Sequence, residues 1–108
     1  MAEGDAEENI QRLSETFKAL SNPTRLRILI LCMDAEKTSR ELREALGISK
    51  PLLISHLRKL LNAGFLEYRV ELDEKRMIVR KHYRTRGDVP CIEEILRSVR
   101  DRSEPWSD

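Results

Sequence analysis

The residues of this 108-residue chain best suited to chemistry are cations and hydroxyls, spaced as a binding surface rather than a reaction centre. Ser49, Lys50, Pro51, Leu52, Ile54, Ser55, Arg58 and Lys59 crowd into one short stretch. On a helix whose inner side carries Leu53, Leu57 and Leu60, the residues from Lys50 to Lys59 just named point outward. Ammonium and guanidinium groups suit phosphate oxygens and guanine edges, and hydroxyls suit a base edge or a phosphate. Exposed apolar groups such as Leu52 and Ile54 can pack on thymine methyls. Ser39 and Arg40 just upstream, and Arg69, Lys75, Arg76 and Arg80 downstream, extend the same chemistry. A glycine-rich phosphate loop, a nucleophile–base motif and a core large enough for an active-site pocket are all missing, so neither catalysis nor a bound cofactor is expected.

The charge distribution points the same way. The formal net charge is only +1. Residues 37–86, however, hold thirteen bases and six acids, a net +7, between acidic ends of −3 each. A basic middle of this kind calls for a polyanionic partner. With 40% hydrophobic and 36% charged residues the chain is globular, one domain over 1–108, with an ionic surface. Fourteen arginines against six lysines, with a single glutamine, fit a thermophilic source. No apolar run approaches the roughly 18 residues of a membrane span, and the acidic start has the wrong sign for a secretory leader. A cytoplasmic protein with no membrane partner is expected. Cys32 and Cys91 are too few for a disulfide framework.

These groups need elements to hold them. Ile10, Leu13, Phe17 and Leu20 recur at helical spacing, which predicts an amphipathic helix over 5–20. Asn22 and Pro23 then cap and open a second helix to about Met33, apolar nearly all round and so expected to be the central core helix. Residues 34–37 read as a polar link. Thr38-Ser39-Arg40-Glu41 has the form of a capping box, starting a short helix to Leu46 with Leu42, Ala45 and Leu46 inward. Gly47 ends it, Ser49 caps the next helix over Lys50 to Ala63, and Gly64 ends that. Helix, glycine turn, helix over 38–64 is the unit that delivers a reading helix to the major groove of double-stranded DNA.

Residues 65–84 alternate as a hairpin wing around an Asp73-Glu74-Lys75-Arg76 turn. That closure pairs Leu72 with Met77, Val70 with Val79 and Leu66 with Tyr83, and sets Arg69 across from Arg80. Like charges so opposed would favour an anion lying against them. Lys75, Arg76, Arg69, Arg80 and Lys81 then form a basic wing. A final helix over 90–102 carries Ile92, Ile95, Leu96 and Val99. The architecture is mainly α with a β-hairpin wing: a winged helix-turn-helix in the order α-α-α-α-β-β-α.

Three blocks in order, Ala19-Leu20-Ser21-Asn22-Pro23-Thr24-Arg25-Leu26-Arg27-Ile28-Leu29, Glu41-Leu42 through Gly47-Ile48-Ser49, and His56-Leu57-Arg58-Lys59-Leu60 through Ala63-Gly64-Phe65-Leu66, resemble the ArsR family of winged-helix repressors. The likeness covers roughly residues 10–86, and Lys50-Pro51-Leu52-Leu53 resembles its archaeal members. The resemblance implies a homodimer, paired through the first and last helices, that sits on an imperfect palindrome and releases it on a signal. It also implies that Arg25 forms a structural ion pair rather than a DNA contact. The metal-sensing members carry paired cysteines on the third helix, or histidines and acids on the last. Here the third helix reads Ser39-Arg40-Glu41-Leu42-Arg43-Glu44 and the last has no histidine, so no metal site is expected. Other members sense oxidants through cysteines on the second and last helices. Cys32 and Cys91 fall on those helices without matching that pattern's positions, and stand as candidate redox residues. His56 is expected to make a structural hydrogen bond. Two other readings stay open on sequence: a protein-interaction module anchored by Leu52 and Ile54, and a non-specific chromatin-associated DNA-binding protein.

Overall fold

Polar residues placed between the apolar runs decide where each helix starts and stops. A computed structural model describes residues 5–87 and Arg97. Its elements are α1 (Asp5–Leu20), α2 (Pro23–Asp34), β1 (Lys37–Thr38), α3 (Ser39–Leu46), α4 (Lys50–Ala63), β2 (Leu66–Asp73) and β3 (Ile78–Thr85). The Asn22 side chain accepts from the Arg25 amide at 3.0 Å, capping α2. The predicted capping box is formed. Thr38 Oγ1 accepts from the Glu41 amide at 3.2 Å, and Glu41 Oε1 accepts from the Thr38 amide at 2.8 Å. Gly47 at φ 66° and Gly64 at φ 84° end α3 and α4 in the left-handed conformation that other residues adopt only with strain.

Ala19, Ile28, Cys32, Leu42, Leu53, Leu57, Leu60, Phe65, Leu66 and Tyr83 form one core where α2, α3 and α4 meet the base of the hairpin. Two packing expectations fail. Ala45 is exposed, because Leu42 and Leu46 already fill the inner side of so short a helix. The second helix is not buried all round. It buries Arg25, Ile28 and Cys32, while Leu26, Ile30 and Met33 are 43, 61 and 67% exposed. One hairpin and three neighbouring helices cover only one side of it.

The sheet also differs from expectation. Its strand order is β1-β3-β2, all antiparallel, so the supposed link at Lys37 is a short strand against Tyr83 and His82. Two residues carry too little periodicity to be read as a strand; β3 supplies the partner that makes them one. The hairpin closes at Asp73 opposite Ile78, with Leu72 against Val79, Val70 against Lys81 and Tyr68 against Tyr83. That is two residues away from the predicted pairing on the return strand. The turn takes in Met77, at φ 56°, and Asp73 Oδ1 accepts from the Arg76 amide at 3.2 Å. A slip of two keeps every side chain on its expected face and changes only its neighbour. The apolar face is buried only at its base, at Leu66 and Tyr83, while Val70, Leu72 and Val79 run out beyond the core. The predicted final helix and Cys91 lie outside the described residues, Arg97 excepted.

Replacing the fully buried Leu53 by alanine should cost about 2–5 kcal/mol. Thr38→Ala, which removes one half of the capping box, should cost about 1 kcal/mol. Urea unfolding of both variants checks the order, and a Thr38→Ala cost equal to that of Leu53→Ala would contradict this account of α3.

Candidate nucleic-acid interface

The reading helix is presented by its own cap. Ser49 Oγ accepts from the Leu52 amide at 3.4 Å, and Pro51 opens the first turn, where a missing amide hydrogen costs nothing. Ser49 is therefore occupied in starting α4. Leu53, His56, Leu57 and Leu60 are buried, and Lys50, Pro51, Leu52, Ile54, Ser55, Arg58 and Lys59 are all exposed, as predicted. Helical geometry aligns Pro51, Ser55, Arg58 and Asn62 along the ridge opposite the core. Asn62 was not anticipated, although the same wheel that places Arg58 would have placed it. Lys50, Arg58 and Lys59 have no carboxylate partner among the described residues.

A buried cation sets the position of that ridge. Arg25, only 8% exposed, reaches from α2 to three acceptors. Its Nε donates to the Ala19 carbonyl at 2.7 Å, its Nη2 to the Lys18 carbonyl at 3.2 Å, and its Nη1 to His56 Nδ1 at 3.3 Å. Among the described residues the expected ion pair is absent. The charge instead satisfies carbonyls at the C-terminus of α1, where a helix end is electronegative. Arginine donates only, so His56 Nδ1 accepts and its proton sits on Nε2, the neutral form. Burial, then the nearby Arg25 and Lys59 charges, hold the His56 pKa below its usual value.

The wing is more balanced than expected. Arg69 does not face Arg80. Its Nε donates to Glu36 Oε1 at 2.8 Å, and its strand partner is His82. Arg80 lies across from Glu71 and reaches Asp73 at 3.4 Å, His82 Nε2 meets Glu71 at 2.8 Å, and Arg84 Nε donates to Glu67 at 3.0 Å. The register that forms places Arg80, His82 and Arg84 by acids of the facing strand, and opposite charges across strands are the stabilising arrangement. At the tip, Lys75 and Arg76 are exposed, Arg76 lying 4.0 Å from Asp73. Lys81, named in the wing from the outset, holds its ammonium 4.6 Å from the centre of the Tyr68 ring.

The fold also joins residues that the sequence keeps apart. Ser39 and Arg40 at the start of α3 line a shallow cleft with Val79, Arg80 and Lys81 of β3. Arg40 itself contacts Glu44 at 3.3 Å, an exposed pair of small energetic weight. Arg43, exposed on α3 and without a carboxylate partner among the described residues, adds a cation not anticipated. Cys32 is buried, and burial pushes its thiol pKa up to about 11, which suppresses the nucleophilic thiolate. Among the described residues, no group of three histidine, cysteine or acidic side chains could hold a metal ion, and no helix is long and apolar enough to cross a membrane.

A capped reading helix behind a glycine turn, flanked by a basic-tipped antiparallel hairpin, defines a winged helix-turn-helix. Residues 22–68 match the family described as bacterial regulatory protein, arsR family. The chain is 32% identical over 92 residues to the arsenic resistance transcriptional regulator ArsR1 of Pseudomonas putida, covering 83% of this chain and 67% of that one. It is 42% identical over 53 residues to a probable mercury resistance operon repressor of Streptomyces lividans, 49% of this chain and 42% of that one. The match thus spans less than half of the Streptomyces protein. A solved homodimeric winged helix-turn-helix DNA-binding domain from Mycobacterium bovis, a possible ArsR-family regulator, superposes with a TM-score of 0.62 at 27% identity, covering 83% of this chain and 73% of that one. The chain belongs to the ArsR family of regulatory proteins.

Because the folded-state pKa of His56 is depressed, the native state binds fewer protons than the unfolded state just below the usual histidine pKa. Its contribution is therefore present above about pH 6.5 and is lost as pH falls through and below that value. Thermal unfolding between pH 8 and 5 should show wild type losing more stability on acidification than His56→Gln. Parallel profiles would remove His56 from the account.

Proposed function

We propose that this chain is a DNA-binding transcriptional repressor that grips an imperfect palindrome as a homodimer. The observation carrying the reading is the exposed outer side of α4, whose Lys50, Arg58 and Lys59 lack carboxylate partners among the described residues while Arg69, Arg80 and His82 of the hairpin are paired with acids. Residues 38–64 supply the helix-turn-helix and residues 65–84 the wing. Lys50, Arg58 and Lys59 meet phosphates or guanine, Ser55 a base edge, and Leu52 and Ile54 thymine methyls. Lys75 and Arg76 reach the neighbouring backbone from the hairpin tip. Ser39, Arg40, Arg69 and Arg80 act as peripheral phosphate contacts, the arginines sharing their charge with Glu44, Glu36 and Asp73. Ser49 and Pro51 contribute by setting the start of the helix. The arginine bias and the Lys50-Pro51-Leu52-Leu53 start support an archaeal, heat-adapted source.

The homodimer has its own support. Ile10, Leu13 and Phe17 line a shallow groove on the side of α1 turned away from α4, and the Mycobacterium bovis neighbour is homodimeric. The first helix, with residues 90–102, is assigned to subunit pairing. The names of the arsenic and mercury relatives do not carry a metal signal to this chain, whose third helix has no cysteine.

A partner-binding module is the competing reading, because Leu52 and Ile54 are 46 and 37% exposed. Residues two apart on a helix, however, stand about 200° apart around its axis. The two flank the Pro51–Ser55–Arg58 ridge on opposite sides and form no single apolar anchor.

Genomic duplex fragments selected by the protein should contain a two-fold repeat, and affinity should fall about 10³-fold or more between 50 and 200 mM salt if six or more phosphates are engaged. Arg58→Ala should weaken binding to all duplexes and flatten that salt slope. Replacing Leu52 and Ile54 together by serine should leave salt-dependent binding in place. Absence of duplex binding at low salt sinks the proposal, and footprints without a repeat would favour the chromatin-like alternative.

A further inference from the structure

Contrary to the expectation that so small a core leaves no room for a pocket, a cavity of about 520 Å³ opens between α1 and α4. Its lining includes the cations Arg12, Lys18, Arg25 and Lys59, with Glu15 and Asn62. Glu15 is already engaged: Gln11 Nε2 donates to it at 3.0 Å and Lys18 Nζ lies 3.8 Å away. That contact balances Lys18. Arg25 is hydrogen-bonded to carbonyls and to His56, which satisfies its N–H groups but leaves its charge unneutralised. Arg12 and Lys59 have no carboxylate partner among the described residues. The cavity therefore concentrates positive potential, with a guanidinium from one helix and an ammonium from another at its rim.

We propose that this cavity binds a small organic anion, a carboxylate or phosphate compound, held between Arg12 of α1 and Lys59 of α4. Its size falls within the range of small-molecule sites, and Asn62 adds a neutral donor and acceptor. The Ile10–Leu13–Phe17 side of α1 faces away from α4, so pairing through that side leaves the cavity open. The anion acts on the reading helix directly. Lys59 cannot hold it and a DNA phosphate at once, so ligand and DNA bind with opposed free energies, each weakening the other by the same factor. This coupling rests on the DNA-binding reading, whereas the site does not.

Calorimetric titration of the full chain with citrate, and separately with inorganic phosphate, tests the site without DNA when ionic strength is held fixed with chloride. Saturable binding of at least one of them, at one anion per chain, is expected. Arg12→Ala should weaken it at least tenfold and Arg12→Lys should restore most of it. Citrate should then raise the dissociation constant of wild type for its duplex several-fold, with no such effect on Arg12→Ala, whose own duplex affinity stays at the wild-type value. No saturable binding of either anion, or equal binding by Arg12→Ala, overturns the site. Weaker duplex binding by Arg12→Ala alone would show that the cavity clamps DNA backbone, and overturns the small-anion proposal. Saturable anion binding by a chain that binds no duplex would leave the site standing and remove the regulation.

Discussion

The Arg25 guanidinium is the constraint on which the arrangement of helices depends. It is a buried cation with no acid beside it among the described residues, tolerated because its donors meet two carbonyls at the end of α1 and the imidazole of α4. The Ala19 carbonyl has no partner within its own helix, and the Lys18 carbonyl also accepts from the Ser21 amide and hydroxyl at 3.1 Å, so the arginine helps to close α1 while tying it to α4. Leaving the Ala19 carbonyl unpaired would cost about 1–3 kcal/mol. One side chain thus joins α1, the core helix α2 and α4.

Charge is handled differently in the two halves of the basic region. On the hairpin, register and the nearby Glu36 bring an acid to each of Arg69, Arg80, His82 and Arg84. These exposed pairs add little stability individually, but they lower the wing's net field and leave Lys75 and Arg76 at the tip as its main anion-seeking groups. On α4 no acid intervenes, so Lys50, Arg58 and Lys59 keep their full attraction for phosphate. The cavity beside Arg12 and Lys59 belongs to the same uncompensated field. The proposed reading surface and the proposed anion site draw on one local excess of positive charge.

Local signals made most of the fold legible. The Asn22, Thr38–Glu41 and Ser49 caps and the two terminating glycines act within a few residues of themselves, so they identified α2, α3 and α4 almost to the residue. The inward stripe of α4 likewise named the exposed residues of its outer side from Lys50 to Lys59, though not Asn62 one turn on. Strand β1 was hidden, since two residues have no periodicity and exist as a strand only because β3 lies beside them. Ala45 and the outer side of α2 were misjudged because apolar character sets a preference for burial, while the number of neighbours decides how much can be buried.

The site divides along the same line. Sequence alone determined that Lys50, Arg58 and Lys59 could attract an anion, and that α4 would present them, because helical periodicity and capping are local. Only the tertiary structure decided which of those cations remain uncompensated. A two-residue shift in hairpin register and the approach of Glu36 turned the supposed Arg69–Arg80 repulsion into a run of ion pairs. Only the fold, too, placed Arg12 opposite Lys59 and Arg25 against His56, contacts between groups far apart in the chain. Coulombic pairing and cavity shape depend on distances across elements, and no pattern read along one element contains them.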